Sequence, residues 1–137
     1  YGPRQSSSKE SGVIAIFDKA MKNNEEINIY GDGSQIRDFI YVEDIAQICV
    51  RAIKTNVSNE VINFSTNNGV TLNKLFKVMS TLYTYSKSVN YCHKRDGDIK
   101  DSILSNKKAL EIFGDIKYTP LLEGLKRLKE YSLCKIN

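Results

Sequence analysis

The chain is poor in the residues that build metal and disulfide sites, with three cysteines and one histidine among its 137 residues. Cys49, Cys92 and Cys134 are odd in number and widely spaced, with no Cys-x-x-Cys pair, which argues against a disulfide framework and a zinc site. Cys92 stands beside His93, but neighbouring residues on a strand point to opposite faces, so the pair is not read as a thiol nucleophile and its base. No apolar run approaches the roughly 18 residues needed to cross a bilayer, and no charged-then-apolar signal opens the chain. A cytoplasmic protein with no membrane partner is the expectation. A dense Lys/Arg block is also missing. The 20 basic residues are interspersed with 16 acidic ones, for a net charge of +4, and charge alone does not choose between nucleic acid and another anionic partner. That modest excess suits a small anionic ligand.

What is present is enough apolar content, 41%, for one packed domain over residues 1–137. The opening Tyr1-Gly2-Pro3-Arg4 has no initiator methionine and reads as the interior of a larger protein. Val13, Ile14, Phe17 and Met21 recur at helical spacing, so a helix is expected over 11–22, ending at Asn23-Asn24. Ile27 to Tyr30 and Ile36 to Val42 read as strands joined by the Gly31-Asp32-Gly33-Ser34 turn. Taken alone, Asp32-Gly33 suggests a hairpin. A second helix is expected from Glu43-Asp44, with Ile45, Ile48, Cys49 and Ala52 inward.

Glu60 to Phe64 reads as a buried strand ended by Thr66-Asn67-Asn68-Gly69. Thr71 is placed as the cap of a third helix carrying Leu72, Leu75, Phe76 and Met79. A strand over 88–92 and a charged turn at Arg95-Asp96-Gly97-Asp98 follow. Ser105 is expected to cap a short helix stopped by Gly114. A last helix begins near Pro120, with Leu121, Leu122, Leu125, Leu128 and Tyr131 on one side. Short strands alternate with about five helices, so the class is α/β, or α+β in isolation.

The block Ile29-Tyr30-Gly31-Asp32-Gly33-Ser34-Gln35-Ile36-Arg37-Asp38-Phe39-Ile40-Tyr41-Val42-Glu43-Asp44 closely resembles one in the extended short-chain dehydrogenase/reductases, the family of NAD-dependent nucleotide-sugar epimerases and dehydratases. Tyr1-Gly2-Pro3-Arg4-Gln5, Val61-Ile62-Asn63-Phe64, Arg95-Asp96-Gly97-Asp98 and Leu122-Glu123-Gly124-Leu125-Lys126 resemble further family segments in the family's order. Several motifs in one order are much harder to reproduce by chance than any one of them. The resemblance covers essentially the whole chain and implies the carboxyl-terminal, substrate-binding portion of a Rossmann-type enzyme.

The resemblance also implies a site. Arg37 and Arg95 match two diphosphate-binding arginines, whose planar guanidinium groups suit phosphate better than a lysine would. Asp98 matches the acceptor for ribose hydroxyls, and Gly97 permits the tight turn between Arg95 and Asp98. Asn28, Ile29 and Tyr30 match the stretch around the uracil or thymine, with the Tyr30 ring available to cover the base. Gly12, Val13 and Ile14 match the loop and helix start lining the same pocket. The implied ligand is a UDP-sugar or dTDP-sugar, the implied cofactor NAD, and the implied assembly a homodimer of the whole protein. Each motif also has a plain local reading, such as Arg37-Asp38 as a solvated surface pair.

Three features depart from the family, one being Ser105 where an aspartate is usual at the start of the short helix, which it can still cap. Ser65-Thr66-Asn67 stands where glycines are usual, so Asn67 or Asn68 is expected in the left-handed conformation. The Gly-x-x-Gly-x-x-Gly loop for the NAD pyrophosphate is absent. No catalytic tyrosine and lysine are assigned within the chain, no residue is given a metal, and the chain alone is expected to be inactive. The opening segment and the Ser-rich loop after it favour a UDP-hexose 4-epimerase over a dTDP-glucose 4,6-dehydratase. A non-catalytic nucleotide-sugar-binding fragment and a small basic nucleic-acid-binding domain are the alternatives from other classes.

Overall fold

The computed structural model describes residues 1–6 and 11–134. Its elements run α1 (Val13–Lys22), β1 (Ile27–Tyr30), β2 (Ile36–Asp38), α2 (Val42–Ile53), β3 (Gly69–Thr71), α3 (Leu72–Tyr83), β4 (Val89–Cys92), β5 (Asp101–Ser102), α4 (Lys107–Phe113) and α5 (Leu121–Leu133). The five helices fall near their expected positions, but Cys49, expected on the inward face of α2, is exposed. Burial of one stripe per helix drives the packing: Ile14, Phe17 and Met21 from α1, Leu75 and Met79 from α3, and Leu125 and Leu128 from α5 close over Ile27 and Ile29 of β1. A smaller cluster of Ile48, Ala109 and Ile116 lies under α2 and α4.

The strands form two small sheets. β1 pairs with β4 in parallel, and β2 lies between β3, antiparallel, and β5, parallel. The hairpin reading of Asp32-Gly33 therefore fails. The turn joins β1 to β2, but the two strands belong to different sheets. Neither β3 nor β5 is expected from the sequence, because three and two residues are too few to show alternation. Gly69 makes the β3 contact possible, since a Cβ there would lie 2.4 Å from Ile36 Cγ2.

Other expectations shift for identifiable reasons. β2 ends at Asp38 rather than Val42, because the following residues bond to Tyr1 instead of a strand. The Tyr1 amino group donates to Ile40 O at 2.8 Å and Val42 N donates to Tyr1 O at 2.9 Å. Residues 60–64 are not a strand, and Val61 is 86% exposed; no described strand lies beside this apolar run, while Ile62 and Phe64 pack on the smaller cluster. Leu122 faces outward, although Leu125 and Leu128 are buried.

Local chemistry elsewhere follows the sequence. Thr71 Oγ1 accepts from Lys74 N at 3.2 Å, Asn67 has φ 54°, and Gly114 ends α4 at φ 71°. Ser105 Oγ accepts weakly from Lys107 N at 3.4 Å, with Asn106 as the cap residue.

Candidate functional site

A cleft of about 1010 Å³ opens where the start of α1, the end of β1, β2 and the turn at 95–98 converge. Arg37, Arg95 and Asp98 line it, as do Asn28, Ile29 and Tyr30, and Gly12 and Val13. Ile14 does not. Its side chain is buried in the main core, 2% exposed, because it lies on the inward stripe of α1.

The parallel pairing of β1 and β4 brings Arg95 into place. Tyr30 is opposite Cys92, Gly31 N donates to Cys92 O at 2.9 Å, and three residues later the chain returns over the ring. The Arg95 Cζ lies 3.7 Å from the Tyr30 ring centroid. One ring face expected to cover a base thus carries a guanidinium. Asp98 N donates to Arg95 O at 3.2 Å to close the turn, and Gly97 takes φ 77° there.

Arg37 reaches the same place from β2. Its Nη2 donates to Asp98 Oδ1 at 2.9 Å, and its Nη1 donates to Ile36 O at 2.9 Å and Lys100 O at 3.2 Å. Three of its N–H bonds are used in this way, which leaves the remainder for a ligand. The two arginines therefore share one cleft but differ in kind: Arg37 is tied into the fold, whereas no described residue accepts a hydrogen bond from the exposed Arg95 guanidinium.

The turn before β2 is closed by side-chain hydrogen bonds. Ser34 donates from its backbone N at 2.9 Å and from its hydroxyl at 2.6 Å to Asp32 Oδ1, and these bonds hold the Asp32 carboxyl below its usual range. Gly33 has φ 74°, and a Cβ there would sit 2.0 Å from Asn73 Oδ1. Gly33→Ala is expected to destabilise the fold by about 1–2 kcal/mol from the backbone conformation alone; thermal unfolding measures it, and an unchanged midpoint would contradict the assigned turn.

Two polar residues escaped the sequence reading. Asp38 is not half of a solvated pair with Arg37. It accepts from Thr66 N at 3.2 Å, from the Thr66 hydroxyl and from Asn67 N at 2.9 Å, and so fixes the loop after residue 65. Strand alternation was the available signal, because adjacent residues on β2 face opposite ways. Gln35 is buried beside the cleft and its Nε2 donates to Tyr30 O.

Although no catalytic tyrosine and lysine are expected within the chain, Tyr83 and Lys87 stand at Tyr-x-x-x-Lys spacing. They do not share a helix, because α3 ends at Tyr83 and Thr84 turns left-handed at φ 54°. The Tyr83 hydroxyl bonds to Asp18 and Lys87 Nζ to Asn24 O, and neither residue lines the cleft. Among the described residues there is no cluster of three His, Cys, Asp or Glu able to hold a metal, and no helix long and apolar enough to cross a membrane.

Comparison with known proteins gives this geometry a setting. Residues 1–65 match the model of the NAD dependent epimerase/dehydratase family. A UDP-glucose 4-epimerase of Mycolicibacterium smegmatis is 30% identical over 131 residues, 96% of this chain and 42% of that protein. The crystal structure of a UDP-glucose 4-epimerase from Thermotoga maritima with UDP-glucose superposes with a TM-score of 0.94 at 40% identity, covering all of this chain and 44% of that one. A UDP-N-acetylglucosamine 4-epimerase from Methanobrevibacter ruminantium, in complex with UDP-N-acetylmuramic acid, gives 0.92 at 33% identity, covering 98% and 44%. The chain thus spans less than half the length of the relatives it matches.

Proposed function

Because the chain belongs to the NAD-dependent epimerase/dehydratase family, we propose that it is the substrate-binding part of a UDP-hexose 4-epimerase. The observation that carries this reading is the convergence of Arg37, Arg95 and Asp98 on one cleft beside the open end of β1. Two guanidinium groups on separate segments match the two phosphates of a nucleoside diphosphate. Asp98 supplies an acceptor for sugar hydroxyls, and the backbone of Asn28 to Tyr30 supplies the donors and acceptors that read a base edge. Gly12 and Val13, at the start of α1, line the same cleft, and a helix start favours an anion. The preference for uracil rests on relatives named for, or solved with, UDP-sugars.

NAD, when bound in a family enzyme, supplies a reversible hydride acceptor. The 137 residues contain no Gly-x-x-Gly-x-x-Gly loop for it, and Tyr83 and Lys87 are bonded to Asp18 and Asn24 O and do not line the cleft. The role of this chain is therefore to bind and orient, with NAD and the proton-transferring groups supplied from elsewhere in the whole protein. Calorimetric titration with UDP-glucose is expected to show one site whose affinity falls as salt rises. Adding NAD to the same mixture is expected to give no turnover. Absence of UDP-glucose binding would overturn the reading, and turnover by the chain alone would overturn the division of roles.

A further inference from the structure

The two arginines of the cleft are held by different means. Arg37 sits in a strand and is braced by Asp98 and two carbonyls. Arg95 is exposed, lies in a turn, and has no described acceptor. A long exposed side chain with free rotation loses much of its conformational freedom when it binds, and that loss weakens the complex. The contact that restrains Arg95 is the Tyr30 ring, 3.7 Å from its Cζ. At that distance the guanidinium carbon lies over the electron-rich ring face, a contact that attracts the cation without using its N–H donors.

We propose that Tyr30 is a positioning residue, which acts on the ligand's diphosphate through Arg95 by holding the guanidinium over the cleft before the ligand arrives. The placement is built into the sheet. Tyr30 is the last residue of β1 and is in register with Cys92 at the end of β4, so the pairing that makes the sheet also returns Arg95 to the ring. The inference rests on the cleft being a diphosphate site, and its test separates the two claims.

The test is equilibrium binding of UDP and of inorganic pyrophosphate to the full chain, to Tyr30→Leu and Tyr30→Phe, and to each in an Arg95→Ala background. Tyr30→Leu is expected to weaken both ligands by about 3- to 10-fold. Tyr30→Phe keeps the ring face and should restore most of the loss. In the Arg95→Ala background, Tyr30→Leu should change affinity by less than about twofold, because nothing is left to position. A loss seen with UDP but not with pyrophosphate, or an equal loss without Arg95, would show the ring acting on the base directly and would overturn the inference alone. No binding of either ligand by the parent chain would overturn the diphosphate reading itself. If Tyr30→Leu fails to fold, the Arg95 side-chain proton resonances of the parent chain decide. Ring-current shifts to high field are expected, and unshifted values would overturn the stacking.

Discussion

Arg95→Ala is expected to weaken UDP binding about 10- to 100-fold while leaving the thermal midpoint close to that of the parent chain. Both halves of this expectation come from the same contrast. No described group accepts a hydrogen bond from Arg95, so removing it orphans no buried partner, and an exposed cation–π contact contributes only about 0.5–1 kcal/mol to the fold. Its N–H donors are therefore available to a ligand, and a charge-assisted hydrogen bond to phosphate contributes about 1.5–3 kcal/mol. Arg37→Ala differs. It should weaken binding and also lower stability, because Asp98 and Lys100 O lose their donor. Calorimetry paired with thermal unfolding reads both quantities. An Arg95→Ala chain that binds UDP as tightly as the parent would remove that residue from the site.

Asp44→Ala is expected to cost about 3 kcal/mol of stability, the largest effect on folding anticipated for a polar residue in this chain. Asp44 is 5% exposed. Its two oxygens accept from Thr119 N and Thr119 Oγ1, each at 2.8 Å. It also lies in the first turn of α2, where a negative charge is favoured by the helix dipole. One carboxylate therefore ties the start of α2 to the segment that leads into α5. Alanine would leave a partly buried N–H and a hydroxyl without their acceptor. Asp44→Asn keeps an acceptor and should fall between the two. The expected shift is on the order of a 10 °C drop in midpoint. Equal midpoints for Asp44→Ala and the parent chain would show that the contact is not needed to dock α5.

How much of this was legible in the sequence depends on the length scale of each signal. Helices α1, α3 and α5 each show an apolar stripe over ten or more residues, and their positions came through. Thr71 acts on the helix start beside it and Asn67 and Gly114 through their own backbone, so residue type and local position identified them. Sheet membership did not come through: β3 and β5 are too short for alternation, and nothing local says that β1 seeks β4 rather than β2. Val61 to Phe64 has the composition of a buried strand, yet burial depends on what lies alongside, and no described strand does. The cleft's main residues were legible through the resemblance carried by residues 29–44 and 95–98. Ile14 is the exception. The resemblance placed Ile14 with Gly12 and Val13, but helical geometry turns Ile14 inward. The pairing of Arg37 with Asp98 and of Arg95 with Tyr30 are long-range contacts that no single segment encodes.

The central claim is that one ligand's diphosphate sits between the guanidinium groups of residues 37 and 95. A crystal structure of the chain grown with UDP tests it most directly. The account predicts phosphate oxygens within about 3 Å of both guanidinium groups, with the base against the backbone at residues 28–30. UDP ordered elsewhere on the surface, or touching neither arginine, would contradict it.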